Sequence, residues 1–226
     1  MIKARGVHHI AFSTADMKGQ LEYFSDVLGM PLVAIFPMHG VPGGIHAFVE
    51  GSPECLISFV QLPAVADIEI EYGKTHAGSG ALPSAPGTLQ HLAMVVDSDD
   101  ELLAMRDRIR SRGINVMGPL DHGMCRSIYF AGLEGLTLEI ASSDEAIDPK
   151  HWLDPSSAEE VGIDSDLLDR LATPDEFDRP SEPIAQPPYD PAKPHMRYPK
   201  AVYEQILSMT DEQVAEASSF SEPPIP

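Results

Sequence analysis

His9-Ile10-Ala11-Phe12 and His91-Leu92-Ala93-Met94 decide the fold of this chain, because each opens a unit with the same order of elements. In the first, period-two alternation puts Val7, His9, Ala11 and Ser13 on one strand face and His8, Ile10 and Phe12 on the other. After an acidic turn, Leu21, Phe24 and Leu28, with Tyr23 and Val27 beside them, recur at helical spacing until Gly29 caps the helix. Strands are expected at 31–36, 45–50 and 55–62, so the unit spanning 6–63 reads strand, helix, three strands. The unit spanning 88–142 repeats that order. Ser98 and Glu101 stand at capping-box spacing, and Leu102, Leu103, Met105 and Ile109 form an apolar stripe that Gly113 ends. Strands are expected at 114–117, 124–131 and 136–142.

The expected class is α+β: paired βαβββ modules forming a cupped mixed sheet around a metal site, with a connecting loop at 64–87 and a proline-rich arm with short helices at 143–226. When two such modules pair, matching positions meet near a pseudo-twofold axis, where Glu139 joins His9 and His91. Two neutral imidazoles and a carboxylate are a ligand set for a catalytic divalent metal with open positions. Glu139 lies 48 residues after His91, and 49 residues after His9 lies Ser58, so the first module carries serine where the second carries its carboxylate. The alignment selects His9 over His8, since Gln90 stands in the place of His8. His39 and His46 have no repeat partner, and His151 and His195 belong to the arm.

A formal charge of −20 repels polyphosphate backbones and anionic lipid, which argues against nucleic-acid or membrane partners. With no apolar run long enough for a signal peptide or a membrane span, the expected compartment is cytoplasmic, with Cys55 and Cys125 reduced. From Glu145 onward 18 acids face 6 bases, so the arm holds most of the negative charge. Its prolines and scattered aromatics predict an extended segment that packs on the core or on a neighbouring subunit.

Through its paired histidines and the run from Tyr23-Phe24 to Leu28-Gly29, the chain resembles the vicinal oxygen chelate superfamily over residues 6–142. That superfamily includes glyoxalases, epimerases, fosfomycin-resistance enzymes and extradiol ring-cleaving dioxygenases. The resemblance implies metal ligands at His9, His91 and Glu139. Glyoxalase-like members add a fourth ligand where this chain has Ser58, whereas three ligands leave room on octahedral iron for a bidentate catecholate and dioxygen. His122, the Ile128-Tyr129 pair, Gly135 and Glu139 are similar to the extradiol signature, with Gly132-Leu133 departing from it. His76, 15 residues before His91, fills the acid–base histidine position of those enzymes.

The implied protein is an iron(II)-dependent extradiol-type dioxygenase, with Mn, Zn or Ni as other candidate metals. Its substrates would be an aromatic diol and dioxygen, His76, His122 and Tyr129 its catalytic residues, and a homodimer or higher homo-oligomer its assembly. Two other readings share the fold: a glyoxalase-like lyase or isomerase, and a metal-free small-molecule binding protein.

Overall fold

Alternating apolar and polar positions build two separate four-stranded sheets in the computed structural model, which describes residues 3–225. The first module contains β1 (His9–Ser13), α1 (Met17–Glu22), β2 (Leu32–Pro37), β3 (Ile45–Ser52) and β4 (Cys55–Gln61), with sheet order β1-β4-β3-β2. The second contains β5 (Leu92–Val96), α2 (Asp99–Ser111), β6 (Val116–Asp121), β7 (Arg126–Ala131) and β8 (Thr137–Ser142), with sheet order β5-β8-β7-β6. In each, the first strand runs parallel to the last and the other pairs are antiparallel. Ala11 pairs with Ser58 and Ala93 with Glu139, so the backbone register makes Ser58 and Glu139 equivalent positions, in agreement with the repeat count.

Local chemistry starts and stops the helices where the sequence signals it. Asp16 accepts the Gly19 N–H at the start of α1, and Ser98 accepts the Glu101 N–H at the start of α2. Past Glu22 the first helix widens into a π-helical turn over Tyr23–Val27, which turns Tyr23, Phe24 and Val27 inward, and Gly29 leaves it at φ 82°. Phe24 meets Phe59 edge to face at 5.0 Å, and Leu102 and Ile109 of α2 pack with Ile128 and Leu138, all of them wholly buried. Side chains of this size each contribute about 1.5–3 kcal/mol through burial.

Polar contacts tie the modules together. Glu134, in the left-handed region at φ 51° just before β8, accepts hydrogen bonds from the Thr14 hydroxyl (2.5 Å), the Ala15 N–H (2.8 Å) and the Gln20 carboxamide (2.9 Å). The Tyr23 hydroxyl donates to the Ala131 carbonyl at 2.6 Å, and Arg108 donates to the carbonyls of Val27 and Asp26 at 2.7 and 3.1 Å. The join therefore runs through helix and loop, and the two sheets share no edge. Positions along the edge strands β1 and β5 stay open to solvent: His9 and Ala11 on the first sheet, Ala93 and Val95 on the second, with Val95 79% exposed.

One compact unit covers Ala4–Pro174 and so takes in α3 (Pro149–Trp152), α4 (Pro155–Glu160) and α5 (Ser165–Ala172). Asp148 and Asp154 cap the first two of these, each followed by proline at the first helical position. A second unit starts at Asp175 and holds α6 (Lys200–Ser208) and α7 (Asp211–Ser218). The capping box of α7 is formed by Thr210 and Gln213, and Tyr189, His195 and Tyr198 surround the Tyr203 ring. Among the described residues no helix is long and apolar enough to cross a membrane.

Candidate metal centre

His91, immediately before β5, is brought together with Glu139 of β8 and Tyr129 of β7 on the second sheet. Glu139 is 5% exposed, and its Oε2 lies 2.9 Å from His91 Nε2. A carboxylate so far from bulk water requires a donor or a cation beside it. Gln90 determines what His91 offers. Its carboxamide nitrogen donates to the Ser79 and Leu82 carbonyls, which turns the carboxamide oxygen onto His91 Nδ1. The proton of a neutral imidazole then sits on Nδ1, and the Nε2 lone pair faces the Glu139 oxygen. Two electron-rich atoms at that separation need a proton or a metal ion to hold them, and an Nδ1–H oriented by an outer partner is the usual setting of a metal-ligating histidine. The residues present fit a divalent cation.

Tyr129 stands behind this pair, its ring edge-on to His91 with centroids 6.3 Å apart. Burial, and then the charge of Glu139, hold the Tyr129 pKa above its usual value of 10, so the phenol keeps its proton; its hydroxyl is hydrogen-bonded with His122 Nε2 at 3.0 Å. Gly80 of the connecting loop lies against the ring; a Cβ added there would come within 3.7 Å of it.

The other expected residues stand elsewhere. His9 lies on the first sheet, its ring 5.7 Å from that of Phe48 and its Nδ1 2.9 Å from that of His8. Beside it, His46 approaches the wholly buried Ser58 hydroxyl at 3.3 Å; burial, and then His9, push the His46 pKa down and favour the neutral ring. Among the described residues no three His, Cys, Asp or Glu side chains converge within the chain, so His9 does not join His91 and Glu139 as the pseudo-twofold expectation had it. His9 belongs to the first sheet and His91 and Glu139 to the second, and the polar join between the modules runs through Gln20, Tyr23 and Glu134 and not through these residues. His76 bonds Thr75 at 2.9 Å and lies over Gly135, and it shares a cavity of about 510 Å³ with His91. The sequence reading uses Gln90 only as the repeat counterpart of His8 and gives it no part in the site, although its place directly before His91 is the available signal.

Residues 6–145 match the family model of the Glyoxalase/Bleomycin resistance protein/Dioxygenase superfamily. Over 142 residues the chain is 27% identical to the "Putative ring-cleaving dioxygenase MhqA" of Bacillus subtilis (strain 168), a match covering 59% of this chain and 42% of that protein. Among solved structures it is similar to TnmS3, an antibiotic binding protein from Streptomyces sp. CB03234, at 18% identity and TM-score 0.45, covering 64% of this chain and 100% of that one. A glyoxylase/bleomycin resistance protein/dioxygenase domain from Frankia sp. EAN1pec gives 13% identity and TM-score 0.48, covering 62% and 99%. The fosfomycin resistance protein FosX of Listeria monocytogenes, complexed with Mn(II), gives 13% identity and TM-score 0.44, covering 67% and 100%. The chain belongs to the glyoxalase/bleomycin resistance/dioxygenase superfamily.

Proposed function

From that membership we propose that the protein is an extradiol-type ring-cleaving dioxygenase acting on a catechol or related aromatic diol, with ferrous iron held by His91 and Glu139 of one copy and His9 of a second. The observation that carries the reading is the His91–Glu139 pair, with its oriented imidazole and the Tyr129–His122 couple behind it. Ferrous iron bound there would supply a site at which diol and dioxygen are activated together. The protonated Tyr129 phenol donates to a substrate oxygen, and His122, 3.0 Å from that phenol, is near enough to take or return a proton. His76 removes the second hydroxyl proton, a role that suits an imidazole sharing the cavity with His91.

A second copy is part of this reading because the ligand set is divided between two open faces. His9 and Ala11 are exposed on one, Ala93 and Val95 on the other. In a twofold dimer each face meets its complement on the other copy, which makes two identical centres and removes Val95 from water. Ser58, at the register position of Glu139, is wholly buried against His46, which weighs against a four-ligand glyoxalase-like centre.

Reconstitution with ferrous iron under anaerobic conditions, followed by oxygen-electrode assays on a panel of catechols, tests the proposal. Oxygen uptake equimolar with the diol, and a coloured ring-opened product, are expected. Turnover of a hemithioacetal by the zinc or nickel form, with no oxygen uptake on any diol, would contradict it.

A further inference from the structure

The cavity at the seam between the modules measures about 510 Å³, within the range of roughly 300–1,000 Å³ typical of small-molecule sites. The end of β1 and the start of α1 contribute Phe12 and Gln20, the connecting loop Ile68 and Glu69, and the approaches to β5 and β8 His91 and Glu134. Two features of this wall restrict what can enter.

The first is charge. No lysine or arginine lines the cavity among the described residues, while two carboxylates do. Burial alone would raise the Glu134 pKa, but hydrogen bonds from Thr14, Gln20 and the Ala15 N–H outweigh it and hold the pKa below its ordinary value, so Glu134 is ionised at neutral pH. An anionic ligand would meet like charge with no counter-ion. The second is an unsatisfied acceptor. Gln20 is 1% exposed, and its nitrogen is committed to Glu134 Oε2. An ionised carboxylate only accepts, so that orientation of the carboxamide is fixed. Its Oε1 has no hydrogen-bond partner among the described residues, a state that a donor on a ligand reaching it would relieve.

We propose that the seam cavity receives the tail of an uncharged, largely apolar substrate that carries a hydrogen-bond donor for Gln20, and that it rejects carboxylated, sulfonated and phosphorylated compounds. The assignment rests on the dioxygenase reading only for the diol end of that molecule, which His91 in the cavity wall brings to the metal centre.

Three catechols with 4-substituents of matched length, ending in hydroxyl, methyl or carboxylate, test this by calorimetric titration of the full chain under nitrogen, with and without ferrous iron. The hydroxyl-ended compound should bind at least as tightly as the methyl-ended one, although it is the less apolar, and about tenfold more tightly than the carboxylate. Glu69→Lys, at an exposed loop position, should narrow or invert the last ratio. Ala66→Phe, also on the exposed loop, should weaken all three while leaving the melting temperature unchanged. Tightest binding of the carboxylate, or indifference of the series to both substitutions, would overturn the proposal. The expected order without oxygen uptake on any diol would leave the cavity assignment standing and remove the dioxygenase reading.

Discussion

Gln90 holds His91, His91 faces Glu139, and Glu139 stays out of water, so the candidate centre is a chain of dependencies in which the outer member is as informative as the ligands. Glu139→Gln should abolish iron retention measured by elemental analysis. Gln90→Leu should keep the fold and weaken iron about 10- to 100-fold, the usual cost of losing an outer partner. Glu134 gives a separate pH prediction. Its pKa in the folded chain lies below the ordinary 4.5, so its stabilising effect is complete above that value and is lost as pH falls through the lower, folded-state pKa. Glu134→Gln should therefore lower stability by about 1–3 kcal/mol at neutral pH and flatten the acid limb of the melting curve. An acid limb identical to that of the wild type would remove Glu134 as the source of that dependence. The ligand candidates were legible as matching histidines, but Glu134 was not, because its importance comes from Thr14 and Gln20, more than a hundred residues away in sequence.

Helix α2 and the strands it covers follow directly from pattern. Ser98 and Glu101 mark the start and Leu102 and Ile109 the buried stripe, and both stripe residues are wholly buried. Leu102→Ala should cost about 2–5 kcal/mol in urea unfolding, and a loss below 1 kcal/mol would show that the stripe does not bear on the core. The first helix was legible as a helix but not as one that widens at Tyr23–Val27, since the wider turn answers to Tyr23 reaching the Ala131 carbonyl of the other module. Helices α3 and α4 fell inside what the sequence reading took as an extended arm. Asp148-Pro149 and Asp154-Pro155, each a cap followed by proline, are the local signals that reveal them.

At the scale of the whole molecule, periodicity specified two modules but not how they face each other, because strand patterning fixes which side of a sheet is buried and is silent about which copy buries it. No described residue from Asp175 onward is buried, so truncation after Pro174 should leave the melting temperature of the module unit within a few degrees of the full chain. Truncation after Ser143 should lower it, since Trp152 then no longer packs against Gly123. The central claim is that one metal centre draws ligands from two copies, and mixing two inactive variants tests it most directly. His9→Ala and His91→Ala are each purified, co-refolded and assayed for bound ferrous iron. Neither variant alone should retain iron, whereas the mixture should recover about a quarter of the wild-type content, because half of the dimers are then mixed and each of these has one intact centre. A mixture as empty as its components, or full occupancy in either variant alone, would contradict the account.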